Sequence, residues 1–131
     1  MDDNILIREA QSAREQSYCP YSGYAVGACL ESKDGRLFKA CNVENASYGL
    51  SICAERAAVA LAVSRGAMEF TRIAVAAEGT MPYPCGACLQ VLREFGADDM
   101  EIITASGTSV ERGTLGGFLP ARFALDKSDE R

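Results

Sequence analysis

Cys53-Ala54-Glu55-Arg56 is followed further along the chain by Pro84-Cys85-Gly86-Ala87-Cys88, and these two stretches decide what the chain can build. Each stands at the start of a predicted helix. Cys85 and Cys88 are three positions apart, so one helical turn can direct both thiols at the same ion. Cys53 brings the number of thiolates to three, one fewer than a closed structural zinc site normally has. The sequence therefore predicts one zinc ion per chain, with an open fourth position.

The residues beside these cysteines indicate a reactive site. The chain contains no histidine, so no imidazole can fill the open position. Glu55 lies two residues after the first thiolate, where its carboxylate can take and return the proton of a water molecule. The partial positive charge of two helix N-termini favours thiolate over thiol. Arg56 follows the glutamate, and we expect its guanidinium to donate hydrogen bonds to thiolate sulfur.

Two other interpretations of the cysteines remain open. One is a structural zinc ribbon or knuckle, although such a site normally has two CxxC-like pairs and Cys53 has no close partner in sequence. The other is a metal-free redox pair, which leaves Glu55 without a role. Mechanisms that need a histidine are excluded. The remaining cysteines are predicted to be core or structural residues (Cys19, Cys29 and Cys41).

Composition narrows the range of partners. The chain has 131 residues, 48% of them hydrophobic, which fits one soluble domain. Its net charge of −5 disfavours a nucleic-acid surface and favours a small-molecule substrate. No apolar stretch is long enough for a membrane span, and the acidic N-terminus is unlike a signal peptide. We therefore expect a cytoplasmic protein with reduced thiols and no membrane partner.

Hydrophobic periodicity predicts a layered α/β domain with a mixed sheet over residues 1–124, followed by a polar tail at 125–131. Turn chemistry at Ser32-Lys33-Asp34-Gly35 indicates a hairpin between the first two strands. Predicted helices cover 4–17, 51–64 and 84–95. Predicted strands cover 24–31, 36–43, 73–77 and 100–105.

Together with Asn42-Val43-Glu44-Asn45, the two cysteine stretches make the chain resemble the small homotetrameric cytidine deaminases, from about Ile5 to Phe123. Three thiolates with a glutamate that is not a ligand are the established signature of zinc deaminases, so this arrangement is recognised, not deduced. The resemblance implies a three-layer α/β/α sandwich with a mixed, roughly five-stranded sheet. It also implies a homotetramer and a role in pyrimidine salvage.

The same resemblance assigns substrate-binding residues. Asn42 and Glu44 are expected to hold the ribose hydroxyls, since an amide and a carboxylate can together donate and accept hydrogen bonds. Tyr24 is expected to pack near the pyrimidine, and the backbone of Ala54 to contact the base. Without the zinc motif, Asn42 and Glu44 would fit a polar turn after a strand equally well.

Further residues are expected to act on a neighbouring subunit's site. They lie in the segment Asn45-Ala46-Ser47-Tyr48 and at Phe123, which follows the context Leu119-Pro120. The alternative for Phe123 is ordinary packing in the core or at an interface.

The implied function is zinc-dependent hydrolytic deamination of free cytidine or deoxycytidine, with release of ammonia. Tyr24, Tyr83 and Leu89 differ from residues common in the family, so a modified cytidine, of the blasticidin S type or with a substituted N4, is the alternative substrate. A non-catalytic, zinc-stabilised oligomeric binding protein is the alternative from another class, and Glu55 argues against it. The sequence does not distinguish cytidine from deoxycytidine.

Overall fold

The computed structural model describes residues 3–124, which form a mixed sheet with helices on both faces. The helices are α1 (Asp3–Ala13), α2 (Ala54–Ser64), α3 (Gly86–Arg93) and α4 (Leu115–Phe118). The strands are β1 (Gly27–Ser32), β2 (Leu37–Cys41), β3 (Phe70–Ala77), β4 (Gly96–Ser106) and β5 (Ser109–Thr114). Two short 3₁₀ turns lie at Arg14–Gln16 and Tyr48–Leu50. None of the helices in residues 3–124 has both the length and the apolar character needed to cross a membrane.

The five strands are arranged in the order β2-β1-β3-β4-β5. Only β3 and β4 are parallel, and the other neighbouring pairs are antiparallel. The predicted hairpin between β1 and β2 is present. Its turn includes Gly35, whose φ of 89° suits glycine, and the Gly35 amide donates to the Ser32 carbonyl. The predicted three-layer fold with a mixed, five-stranded sheet is confirmed.

Each face of the sheet buries its own apolar cluster, because alternate side chains of a strand point to opposite faces. On one face, α1 covers Cys29 and the alternate residues of β3 and β4 with Leu6, Ile7 and Ala10. The larger cluster lies on the other face, beneath α2, α3 and α4. Gly27 is required where α1 crosses β1, since a Cβ there would lie 1.9 Å from the Ala10 carbonyl oxygen.

The topology brings the starts of α2 and α3 close together. Cys53 is the N-cap of α2 and Cys85 is the N-cap of α3. The chain before α2 is held by single bridges of Val43 to Tyr18 and to Ile52. These connections place the cysteines, Asn42 and Glu44 at one end of the sheet.

Several predicted boundaries were wrong by a few residues, and two elements were not predicted. The first helix ends at Ala13, since residues 14–16 form a 3₁₀ turn. The second begins at Ala54 because Cys53 has extended backbone angles. The sequence analysis predicts neither β5 nor α4. Strand β5 is an exposed, mostly polar edge strand, and α4 is only four residues long. The predicted tail at 125–131 lies outside the described residues.

Candidate metal centre and active site

Three sulfur atoms converge between the starts of α2 and α3. The Sγ atoms of Cys53, Cys85 and Cys88 all lie within 4.8 Å of one another, and those of Cys85 and Cys88 are 3.5 Å apart. In a tetrahedral site with Zn–S bonds of about 2.3 Å, two sulfurs lie about 3.8 Å apart. The cysteine cluster therefore has the donor chemistry and the spacing that zinc requires.

The surroundings of the sulfurs favour the ionised form at one of them. A hydrogen bond from Cys88 is the largest cause that lowers the pKa of Cys53, to about 6, and the charges near it include the Arg56 guanidinium. Accepting this bond keeps the proton on Cys88, whose pKa is raised. The Sγ of Cys85 accepts the Cys88 amide at 3.5 Å, as the N-cap of α3. Arg56 thus acts on Cys53 through its charge, whereas the expected hydrogen bond from its guanidinium to a sulfur is not among the contacts of the described residues.

Glu55 is a buried carboxyl group beside these sulfurs. Only 5% of its surface is exposed, and it lies in the first turn of α2. Burial is the main cause that raises its pKa to about 7, and the nearby Cys53 raises it further. A carboxyl group that exchanges its proton near neutral pH can serve as both base and acid.

A cavity of about 230 Å³ opens above the cysteines, and most of the predicted site residues line it. It is lined by Ser22, Tyr24, Val26, Asn42, Glu44, Cys53, Ala54, Glu55, Pro82, Tyr83 and Cys85. Two larger hollows lie around Lys33 and Glu69, at the opposite end of the sheet, and none of the predicted site residues lines them. The sequence did not predict the contributions of Ser22, Val26 and Pro82, because nothing local distinguishes them from ordinary loop and strand residues.

The side chain of Asn42 is already engaged with the protein. Its Oδ1 accepts from the Val26 amide at 3.0 Å and from the Ser17 hydroxyl, and its Nδ2 donates to the Tyr24 carbonyl at 2.9 Å. One N–H of the amide is left to meet a ligand. Asn42 therefore also holds the segment that leads into β1.

Glu44 is an acceptor held in place by backbone and hydroxyl donors. Its Oε1 accepts from the amides of Tyr21 and Ser22 at 3.0 and 3.1 Å, and its Oε2 accepts from the Ser22 hydroxyl at 2.5 Å. The Ser22 hydroxyl is the main cause that lowers the pKa of Glu44. An ionised carboxylate with a free lone pair at the cavity wall can accept a hydrogen bond from a ligand hydroxyl.

This site can be compared with known proteins. The family model of the cytidine and deoxycytidylate deaminase zinc-binding region matches residues 1–104. The chain belongs to this deaminase family. A cytidine deaminase from Sporosarcina psychrophila is 43% identical over 96% of this chain and 94% of its own length. One from Halalkalibacterium halodurans is 41% identical over 99% of this chain and all of its own length.

Solved structures of similar fold also belong to cytidine deaminases. The crystal structure of a cytidine deaminase from Burkholderia pseudomallei has a TM-score of 0.90 and 43% identity, and the match covers 94% of this chain and 100% of that one. A blasticidin-S deaminase from Bacillus cereus is more distant, at 26% identity over 75% of this chain and 76% of its own. Membership of a deaminase family with a zinc-binding region confirms the predicted zinc cofactor, and the three sulfurs of the cysteine cluster lie close enough together to bind one ion.

The residues expected to reach a neighbouring subunit lie outside the deaminase cavity. Asn45 and Ala46 are exposed, and the side chains of Tyr48 and Phe123 are 76% and 70% exposed. Tyr48 packs edge-on against Tyr21, with ring centroids 5.9 Å apart. Gln90 of α3 holds the backbone of Phe123 through two hydrogen bonds, one to its carbonyl oxygen and one from its amide.

Proposed function

We propose that this protein catalyses the zinc-dependent hydrolytic deamination of cytidine and deoxycytidine, giving uridine or deoxyuridine and ammonia. The observation that carries the proposal is the buried carboxyl group of Glu55, at the floor of the cavity and beside three sulfur ligands. A site that only stabilises a fold has no need for a buried carboxyl group, whose burial costs free energy. Curated relatives of nearly equal length that are named cytidine deaminases support the substrate.

Cys53, Cys85 and Cys88 would hold the zinc ion. Zinc, when bound there, supplies Lewis-acid chemistry that makes water nucleophilic near neutral pH. Glu55 takes a proton from the attacking water and delivers it to the ring nitrogen next to the carbon that bears the amine. It then passes a proton to the departing amine, which leaves as ammonia while the ring carbon becomes a carbonyl. Arg56 offsets negative charge on the thiolates.

The cavity wall orients the nucleoside. The free N–H of Asn42 and a lone pair of Glu44 would bind the ribose hydroxyls, and the fixed donors around both residues keep them in position. The ring of Tyr24 and the backbone of Ala54 would contact the base, since both line the cavity close to Glu55.

The active unit is proposed to be a homotetramer with shared sites. Exposed apolar side chains support this, because Tyr21, Tyr48, Leu50 and Phe123 are each between 49% and 76% exposed. The rings of Tyr21 and Tyr48 pack together, and a contiguous exposed apolar patch of this kind is typical of an interface. In the assembly, Asn45, Ala46, Tyr48 and Phe123 would cover a neighbouring cavity. Cytoplasmic location and a role in pyrimidine salvage stay predictions from the sequence.

A modified cytidine is the second candidate substrate. The observation that favours it is the exposed ring of Tyr83 at the cavity wall, where a substituent on the base would find an apolar surface. The distant likeness to a blasticidin-S deaminase points in the same direction.

The test is ammonia release by the zinc-loaded protein from cytidine, deoxycytidine, N4-methylcytidine, blasticidin S and adenosine. We expect the highest kcat/KM for the two unmodified nucleosides and no release from adenosine. Preference for blasticidin S or N4-methylcytidine would replace the substrate assignment. No release from any cytosine compound by zinc-loaded protein would refute the proposed function.

A further inference from the structure

Residues 78–84, here called the strap, run from the end of β3 to the segment that carries Cys85. The strap places Pro82 and Tyr83 in the cavity wall, and Pro82 is buried while Tyr83 is half exposed. Its first three residues are exposed. Pro84 is also buried, so the end of the strap near Cys85 is packed, whereas the exposed residues 78–80 have few apolar contacts to fix their position. Specific side-chain contacts therefore hold the strap at the cavity.

The first contact comes from across the cavity. The hydroxyl of Tyr24 donates a hydrogen bond of 2.5 Å to the carbonyl oxygen of Thr80, while the Tyr24 ring lines the cavity. Partial burial is the main cause that raises the pKa of Tyr24, so its hydroxyl keeps the proton it donates. The hydroxyl uses its proton in this bond, so it cannot also donate a hydrogen bond to the base.

The second contact lies at the other end of the strap. The hydroxyl of Tyr83 donates to Oε2 of Glu111 on β5 at 2.7 Å, and its ring packs against Phe118 with centroids 6.3 Å apart. The hydroxyl of Ser106, at the end of β4, adds a bond of 2.7 Å to the Gly79 carbonyl. The strap is thus tied to the segment before β1 on one side and to β4 and β5 on the other.

We propose that Tyr24 and Tyr83 are positioning residues, whose hydroxyls hold the strap over the nucleoside cavity and so preform the binding site. The proposal rests on the proposed deamination for its kinetic consequences. If the strap is released, only a fraction of the molecules has a complete cavity, and the apparent dissociation constant rises by the inverse of that fraction. The chemical step, which depends on Glu55, is unchanged once the nucleoside is bound. Loss of a tyrosine hydroxyl should therefore raise KM and leave kcat nearly constant.

The test combines kinetics with methionine methyl NMR, because Met81 lies within the strap. Tyr24→Phe keeps the ring and removes one hydrogen bond, which corresponds to an increase of about two- to tenfold in KM for cytidine. We expect kcat within about twofold of the wild type, unchanged zinc content and a lower order parameter for the Met81 methyl group. Met100, which is buried in β4, provides the internal reference and should not change.

Matched variants separate a positioning role from general destabilisation. Tyr18→Phe removes a phenol hydroxyl from outside the cavity and the strap, and we expect wild-type KM and Met81 order. Glu111→Gln keeps an oxygen that can accept from Tyr83 and should behave like the wild type. Glu111→Ala should instead reproduce the raised KM and loosened Met81 of Tyr83→Phe. If Tyr24→Phe does not fold, this second set carries the test.

Three results would overturn the proposal. They are unchanged KM in both Tyr24→Phe and Tyr83→Phe, raised KM with an unchanged Met81 signal, and a loosened Met81 without any effect on KM. Raised KM with an unchanged Met81 signal would mean that the hydroxyls touch the nucleoside directly. Failure of the wild type to deaminate any nucleoside would refute the proposed function instead. The Met81 signal, measured without substrate, would still show whether the hydroxyls hold the strap.

Discussion

At the scale of single residues, Glu55 carries the strongest functional information. Its carboxyl group is 5% exposed, and this burial, together with the charge of nearby Cys53, raises its pKa to about 7. Burying a carboxyl group without an ion-pair partner costs stability, so its presence needs a reason other than folding. The motif predicted this residue from sequence because Glu55 stands at a fixed distance from Cys53. The sequence did not predict that Asn42 and Glu44 would spend most of their hydrogen-bonding capacity on the protein itself.

The metal assignment predicts that Cys85→Ala loses zinc. Two sulfurs cannot complete the set of three thiolates, and metal affinity depends on all of the ligands. We expect metal analysis to give about one zinc per chain for the wild type and far less for Cys85→Ala. Cys19→Ala, which changes a cysteine outside the cluster, should keep its zinc. Full zinc content in Cys85→Ala would rule out this ligand set.

The ribose assignment predicts that Asn42→Ala and Glu44→Ala raise KM for cytidine far more than for free cytosine. The free base lacks the sugar that these side chains are proposed to bind. Asn42→Ala should also lower the free energy of unfolding by about 1–3 kcal/mol, because the Val26 amide loses its acceptor. Steady-state kinetics with both substrates and urea denaturation measure the two effects. Equal penalties for nucleoside and base would show that these residues do not bind ribose.

At the scale of elements, a charged network ties α1 to the sheet. Arg72 of β3 bonds Glu31 of β1 through two nitrogens, at 2.8 and 2.9 Å, and Asp3 of α1 at 2.6 Å. Arg112 of β5 reaches the other oxygen of Asp3 at 2.8 Å. The side chains of Arg72 and Glu31 are each only 12% exposed. Breaking such a pair leaves a charge with little solvation, so this network fixes the start of α1 against the sheet.

The network predicts a loss of stability in acid. Hydrogen bonds from Arg72 lower the pKa of Glu31, and those from Arg112 lower the pKa of Asp3. A carboxyl group whose pKa is lower in the folded state stabilises the fold at pH values above its ordinary pKa of about 4. This contribution disappears as the pH falls through the lower folded-state pKa. Arg72→Ala should reduce the free energy of unfolding at pH 7 by about 3 kcal/mol and flatten its dependence on pH below 5.

Urea denaturation between pH 3 and pH 7 measures the free energy of unfolding of Arg72→Ala and its dependence on pH. Arg65→Ala is the control for loss of an exposed arginine. An Arg72→Ala protein that is as stable as the control, with the same acid profile, would show that the network does not support the fold.

The difference between predicted and observed elements also has a physical cause. The sequence predicts α2 because residues 51–64 are rich in alanine, leucine and glutamate and end near Gly66. It predicts α3 because residues 84–95 begin with Pro84 and stop at Gly96. Both helices pack on the sheet. Strand β5 was not predicted because it lies at the sheet edge and its side chains face solvent, so its sequence carries no apolar alternation. The ion pairs of Arg72 with Glu31 and Asp3 could not be predicted from sequence either, since they join residues far apart in the chain.

At the scale of the whole molecule, the exposed aromatic side chains define the proposed oligomer. Tyr48 and Phe123 lie outside their own subunit's cavity and are highly exposed. Gln90 fixes the backbone of Phe123, and the residue is 70% exposed. In the proposed oligomer, its ring would enter a neighbouring site and exclude water from the bound base.

The shared-site model predicts complementation between inactive subunits. Phe123→Ala should keep zinc but lower kcat/KM, because the neighbouring cavity loses its cover. Glu55→Gln subunits still carry Phe123, so mixed oligomers of the two variants should regain activity at sites that combine Glu55 with a neighbour's Phe123. Light scattering should give a tetramer for each variant. A fully active monomer, or no recovery in oligomers shown to be mixed, would contradict the model.

The central claim is that Glu55 moves the proton in the deamination of cytidine, and the most direct measurement is uridine and ammonia formation by zinc-loaded wild type and Glu55→Gln. The amide keeps the shape of the side chain and removes the proton transfer, which is worth about 10²–10⁴-fold in rate. We predict one ammonia per uridine from the wild type and a loss of kcat of at least about 10²-fold in Glu55→Gln at equal zinc content. A Glu55→Gln protein that folds, binds zinc and turns over cytidine at a near-normal rate would contradict the account.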